Sequence, residues 1–433
     1  MSDTLRIMIA AGGTGGHVFP AIAIADAIRA ERPGTRFLFV GTRDRMEWKA
    51  VPAAGYEIAP IWISGLHRRL TLKNLLFPLK LLVSLWQSRR LVRRFRPHAA
   101  VSCGGFASGP AGWMAARMGI PLFLQEQNSF PGVTNRKLAP KAERIFTAFD
   151  EAAKWLPKEK ITLAGNPVRQ SLISKLQDPG FPGTAREHFG LDRERPVLLV
   201  MGGSGGAKSI NDAMLRHLDT LLDDGIQVIW QCGEAYLGQI RRELGLPAST
   251  SEKYTRLRIY GFMDDITEAW AAADLIVSRA GAITCSELLA TGKAGILVPS
   301  PHVAGDHQTH NARSLADQGA AVLLMDSDLD GQLPEKVRSL IRDQGQRELM
   351  QQQARKMAKN DAAAVIARHI LERIADSNPA SSRASSQPAS PTSNQAPGSS
   401  TSHPTNPAPG SSSSHASGNH SSNQKIQNSS TKA

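Results

Sequence analysis

Two stretches of this sequence have the composition of an anion cradle. Residues 12–17 read GGTGGH after the apolar run LRIMIA, and residues 202–206 read GGSGG after PVLLVM; each precedes a helical pattern. A glycine loop lets backbone approach an anion while the following helix presents free N–H groups and the positive end of its dipole. Each is equally readable as a tight strand-to-helix turn. Neither a G-x-G-x-x-G fingerprint nor a GxxxxGK[ST] loop is present, which excludes the common dinucleotide and P-loop signatures. The run DLIVSRAGAITCSE at 274–287 ends a buried strand in a small-residue loop and places Glu287 three residues after Thr284. That spacing is a capping box, and equally a carboxylate set to accept from two vicinal ribose hydroxyls. His307 and His310 form an i, i+3 pair without a third ligand at sensible spacing, and Asp326–Asp328 forms a DxD that also suits a helix start. Neither makes a convincing metal site, so none is expected.

These residues need strands to carry them. LRIMIA, TRFLFVG, AAVSCG, IPLFLQE and ERIFTAF read as strands of a first half, and PVLLVMGG, IQVIWQCG, LRIYGF, DLIVSRAG and AGILVPS as strands of a second. Alternation with helical segments predicts parallel α/β sheets, and the repeated strand–glycine loop–helix predicts two Rossmann-like domains. The expected boundaries are 1–165, 166–375 and a Ser/Pro/Asn-rich tail at 376–433 that cannot bury a core. The helical segment near residues 347–373 is a candidate to pack back onto the first domain.

The 433 residues carry a formal charge of +13. Three basic residues and no acid lie in 377–433, ten basic residues and no acid in 58–125, and elsewhere the charges balance. Within that basic block, residues 73–95 read KNLLFPLKLLVSLWQSRRLVRRF. Pro78 and Lys80 break the apolar part, which is too short to span a bilayer. Leu75, Leu76, Phe77, Leu79 and Trp86 can dip into an interface while Arg89, Arg90, Arg93 and Arg94 meet anionic head groups. A core helix with a solvated basic face is the alternative. No module with interleaved basic and aromatic residues supports nucleic-acid binding. No signal-peptide pattern is visible, and Cys103, Cys232 and Cys285 are odd in number and far apart, which fits a reducing compartment.

Taken in order, GGTGGHVFPAIAIADAI, GTRDRMEWKAVPAAGY, GGFASGPAGWMAARMGIP, EQNSFPGVTNR, GNPVR, GGSGGAKSIN, DLIVSRAGAITCSELLATGKAGILVP and DHQTHNA resemble the MurG-type N-acetylglucosaminyltransferases of peptidoglycan synthesis, over about residues 5–325. The resemblance implies a GT-B fold with a cleft between the domains. It implies transfer of GlcNAc from UDP-GlcNAc to the muramyl 4-hydroxyl of lipid I, inverting and without a metal or other cofactor. It implies a peripheral location on the cytoplasmic face of a bacterial inner membrane, and possible contacts with cell-wall synthesis or division proteins. By matched position, Thr14, Gly15 and Gly16 line the donor side of the first domain, and Asn128 and Arg169 contact sugar or phosphate. Ser204 meets the diphosphate and Met263 the uracil through its backbone. Ala282, Ile283, Thr284, Cys285, Ser286 and Glu287 form the nucleotide loop, Gln308 reads sugar hydroxyls, and His17 is the candidate base. Gly205 replaces the family's usual glutamine and Gln125 its usual histidine. A UDP-GlcNAc 2-epimerase and a non-catalytic nucleotide-sugar sensor are the rival readings.

Overall fold

Each sheet places its first strand in the middle. The computed structural model describes residues 4–65, 76–246 and 254–376; Leu75 and residues 377–433 of the predicted tail lie outside the described residues. The first sheet comprises β1 (Arg6–Ala10), β2 (Arg36–Gly41), β3 (Glu57–Pro60), β4 (Ala99–Ser102), β5 (Leu122–Glu126), β6 (Arg144–Thr147) and β7 (Ile161–Leu163). The second comprises β8 (Val197–Met201), β9 (Gln227–Gln231), β10 (Leu257–Tyr260), β11 (Leu275–Arg279), β12 (Ala294–Val298) and β13 (Val322–Leu323). Their orders are β3-β2-β1-β4-β5-β6-β7 and β10-β9-β8-β11-β12-β13, and every recorded pairing is parallel. The strand order reverses beside β1 and beside β8, which are the strands that end in the glycine loops. Such switch points are where open α/β sheets bind ligands.

Alternation along the central strands feeds a core on each face. Ile7 and Ile9 point to one face of the first sheet, Met8 and Ala10 to the other. Leu198 and Val200 oppose Val197, Leu199 and Met201 in the same way. Strands buried on both faces read as continuous apolar runs, which is why the sequence marks them so clearly.

The chain crosses between the sheets twice, at adjacent points. It leaves β7 through Gly165, whose φ of +88° suits glycine, and a Cβ there would lie 2.4 Å from Cβ of Lys359 on the returning segment. Beyond Lys359 the helix Ala362–Asp376 packs on the helix Gly15–Glu31, placing Ile366, Ala367 and Ile370 in the core with Ile7 and Ile24.

The basic, apolar stretch becomes the helix Phe77–Phe95. Ser84, Ser88 and Val92, spaced four apart, form its buried stripe against the helix Ser108–Arg117. Phe77 packs inward against the same core, contrary to the sequence reading that turned it outward. Leu76, Leu79 and Trp86 remain about half or more exposed, at 48%, 51% and 61%, as does Leu82 at 66%. Arg89, Arg90, Arg93 and Arg94 are all exposed. No helix among the described residues is long and apolar enough to cross a membrane.

Candidate functional site

The first glycine loop rests on a buried carboxylate. Glu47 has no solvent exposure; it accepts from the Gly13 N–H at 3.0 Å and from the Thr42 N–H and hydroxyl at 3.0 and 2.7 Å. A Cβ at Gly12 would sit 2.8 Å from Glu47 Oε1, so the loop can lie on this support only without a side chain. Gly13 has φ of +94°, and Thr14 is the N-cap of the helix Gly15–Glu31. The Thr14 hydroxyl lies 3.1 Å from His17 Nδ1, and Gly104 approaches the other side of the imidazole. Burial, aided by His307, pushes His17 down to about 4, against the opposing influence of the Gly12 backbone and Glu47.

The second loop is built alike. Gly203 and Gly206 have φ of +82° and +75°, and a Cβ at Gly202 would collide with the Ala207 amide. Ser204 is exposed at its tip. A Cβ at Gly205 would meet nothing within 4 Å, so the first atom of a side chain fits there without a clash.

The stretch 282–287 is helix rather than loop. The helix Ala282–Thr291 begins one residue after Gly281, an extended N-cap, so Thr284 already lies within the first turn and cannot be the capping residue. Instead of reaching back to the backbone, the buried Glu287 carboxylate accepts from Arg169 Nε at 3.0 Å and Nη2 at 2.7 Å. Burial pushes the Glu287 carboxyl up and Arg169 opposes that shift. Helical geometry turns Cys285 into the core, where burial pushes its thiol up to about 12. Ser286 accepts from Asn166 Nδ2 at 2.9 Å. Cys285 and Ser286 therefore do not line the site, contrary to the sequence expectation.

Glu126, which the sequence reading passed over, organises the loop that runs from the end of β5 to the start of the helix Val133–Leu138. Its buried carboxylate accepts from the N–H groups of Asn128 and Gly132, both at 3.0 Å, and from the side chains of Asn135 at 2.8 Å and Asn128 at 3.3 Å. Burial pushes its carboxyl up, against those four donors. The Asn128 side-chain oxygen accepts from Asn311, which also takes the Ser129 N–H and hydroxyl, tying this loop to the second half. The Met263 N–H donates to Gln231 Oε1, and Gln308 Oε1 accepts from the Ser300 N–H.

One cavity of about 1760 Å³ collects these groups. Apart from Cys285 and Ser286, every residue assigned to the donor lines it, and so does His17. Of the candidate metal pairs, Asp326, Asp328 and His310 have partners within the protein. Asp326 accepts from Arg279 and from Ser209, the Asp328 carboxylate accepts from Ser327, and His310 stacks on Phe130.

Family comparisons agree with this arrangement. The glycosyltransferase family 28 N-terminal domain matches residues 7–147 and the C-terminal domain of the same family matches residues 197–368. Two Rossmann-like sheets with a glycine loop at each switch point, facing one cavity, make this a GT-B glycosyltransferase. The chain is 47% identical over 367 residues to the UDP-N-acetylglucosamine–N-acetylmuramyl-(pentapeptide) pyrophosphoryl-undecaprenol N-acetylglucosamine transferase of Salinibacter ruber, covering 84% of this chain and 96% of that one. It is 40% identical over 370 residues to the enzyme of that name from Flavobacterium psychrophilum, covering 86% and 98%. The solved structure of Acinetobacter baumannii MurG matches 86% of this chain and 100% of its own, with 28% identity and a TM-score of 0.65. The chain belongs to the MurG-type N-acetylglucosaminyltransferases. A UDP-GlcNAc 2-epimerase from Neisseria meningitidis, 12% identical with a TM-score of 0.59 over 85% of this chain and 100% of its own, shares the fold alone.

Proposed function

We infer that the protein transfers GlcNAc from UDP-GlcNAc to the muramyl 4-hydroxyl of lipid I, forming lipid II. The observation that carries this reading is the cavity itself. One wall offers an imidazole beside a glycine loop, and the other offers the buried Glu287 carboxylate, paired with the exposed Arg169, in the helix that starts at Ala282. The acceptor oxygen attacks the anomeric carbon as the carbon–oxygen bond to the diphosphate breaks, and UDP leaves with that bond's electron pair. His17 takes the hydroxyl proton. Backbone N–H groups of the second glycine loop, the helix beginning at Ala282 and Arg169 stabilise charge on the leaving diphosphate, so no metal is needed. Glu287 accepts from the ribose diol.

The exposed apolar and arginine face of Phe77–Phe95 supports docking on an anionic membrane, where a polyprenyl-linked acceptor resides. A peripheral position on the cytoplasmic face of the inner membrane follows from that reading. The deciding experiment supplies the full-length protein with UDP-GlcNAc and a lipid-linked muramyl-pentapeptide acceptor. Disaccharide lipid with one UDP released per transfer is expected. Conversion of UDP-GlcNAc to its 2-epimer without acceptor, or binding without turnover, would overturn it.

A further inference from the structure

Three guanidinium groups line the cavity, and they are not equivalent. Arg169 is paired with Glu287 and Arg279 with Asp326. Arg136, on the helix Val133–Leu138 of the first half, has no carboxylate partner among the described residues, and its buried Nε has no hydrogen-bond acceptor among them. Its guanidinium is nevertheless held in place, with Cζ 5.0 Å from the centroid of Phe130. That ring is stacked on His310 at 5.5 Å and meets Trp155 edge-on at 5.0 Å. A fixed cation with an unmet buried donor in a cavity wall is arranged for an acceptor group that the protein does not supply.

We propose that Arg136 binds the diphosphate of the acceptor. This rests on the lipid I reading, in which the reaction brings two diphosphates into one cavity. The donor's diphosphate belongs with the loops of the second half. Arg136 is the cavity guanidinium of the opposite half, and its planar fork matches phosphate oxygens in a way a lysine ammonium cannot. Its stacking on Phe130 fixes the plane of that fork before the ligand arrives, which lowers the ordering cost of binding.

The test uses the full-length protein, Arg136→Ala and Arg136→Lys, with a short-prenyl muramyl-pentapeptide diphosphate as acceptor. Arg136→Ala should raise the acceptor KM by roughly 10- to 100-fold, as expected for a lost charged hydrogen bond. The donor KM and the kcat at saturating acceptor should stay within about twofold, and Arg136→Lys should recover part of the loss. An acceptor with its peptide carboxylates amidated should show the same loss. Calorimetric binding of the acceptor should weaken in parallel, which separates this proposal from the transfer reading even if wild type proves unable to turn over. An unchanged acceptor affinity would overturn the proposal, as would a rise confined to the donor KM. Disappearance of the effect with the amidated acceptor would assign Arg136 to the peptide and overturn it equally.

Discussion

Arg169 directs two N–H groups, Nε at 3.0 Å and Nη2 at 2.7 Å, to the same carboxylate oxygen of Glu287. The other oxygen is not used by this pair. Arg169 lies just beyond the crossing at residues 165–167, and Glu287 in the second turn of Ala282–Thr291, so the contact fixes this cavity-lining helix relative to the crossing segment. It also opposes the upward push that burial gives the Glu287 carboxyl at the cavity wall. Glu287→Ala should raise the KM for UDP-GlcNAc by roughly 10- to 100-fold with little change in kcat, because an interaction present in both ground and transition states is removed. Glu287→Gln keeps the shape but weakens the grip on Arg169, so an intermediate rise is expected. Steady-state kinetics of both variants decide the matter; an unchanged donor KM in each would remove Glu287 from substrate binding.

His17 carries a pH signature of its own. Its ordinary value of 6.5 falls to about 4 in the fold. Above pH 6.5 the imidazole is neutral in folded and unfolded chains alike, and stability is unaffected. Below 6.5 the unfolded chain takes up a proton that the fold resists until about pH 4, so stability falls as pH falls through that window. The melting temperature of wild type should therefore drop more steeply between pH 6.5 and 4 than that of His17→Gln. If His17 is also the base, His17→Ala should lower kcat by roughly 10²–10⁴ with donor KM little changed. Parallel melting curves across the pH range, or a normal kcat, would contradict the respective assignment.

Vesicle binding should depend on the exposed face of Phe77–Phe95. A basic residue near an anionic surface contributes about 1 kcal/mol, so replacing Arg89, Arg90, Arg93 and Arg94 by glutamine should weaken binding by roughly 10³-fold. Trp86→Ala and Leu79→Ala should weaken it independently of salt, since they remove apolar area instead of charge. Sedimentation with anionic vesicles reads both effects. Transfer to a short-prenyl acceptor in solution should continue in all these variants, whose replaced side chains lie on the outer face of the helix. Unaltered sedimentation of the four-arginine variant would dismiss the docking surface.

Transfer should proceed in excess EDTA. Asp326 is committed to Arg279 and Ser209, and Asn128, Arg169 and the helix N-termini supply polar and positive groups to the cavity. UDP release with lipid acceptor, measured before and after chelation, is the readout. Complete loss restored by magnesium or manganese would show that a cation shares the work.

The central strands were legible because burial on both faces writes itself as unbroken apolar runs, and the paired glycine loops marked the switch points. The edges were not. Glu57–Pro60, Ile161–Leu163 and Val322–Leu323 are two to four residues long and partly exposed, so no hydrophobic run distinguishes them from loop. In the site, T-x-x-E was ambiguous because spacing alone does not say where a helix begins; Gly281 does, once its extended backbone is seen. Glu47 and Glu126 went unnoticed because a buried carboxylate held by backbone N–H groups has no sequence partner to announce it. A clue lay in the neighbouring glycines, Gly12 and Gly41, both of which leave room for Glu47. Arg136 was hidden in a motif read for its asparagine.

The helix Ala362–Asp376 completes a core whose strands are far earlier in the chain. During synthesis β1 to β7 emerge first, and this helix follows about 200 residues after β7, which at about 5–20 residues per second is a wait of roughly 10–40 s. Throughout that interval the apolar flank of Gly15–Glu31 that will receive Ile366 and Ile370 is uncovered on the nascent chain. The half that is translated first is thus finished last, and a ribosome stalled anywhere in the second half presents an unsealed first half to chaperones and proteases.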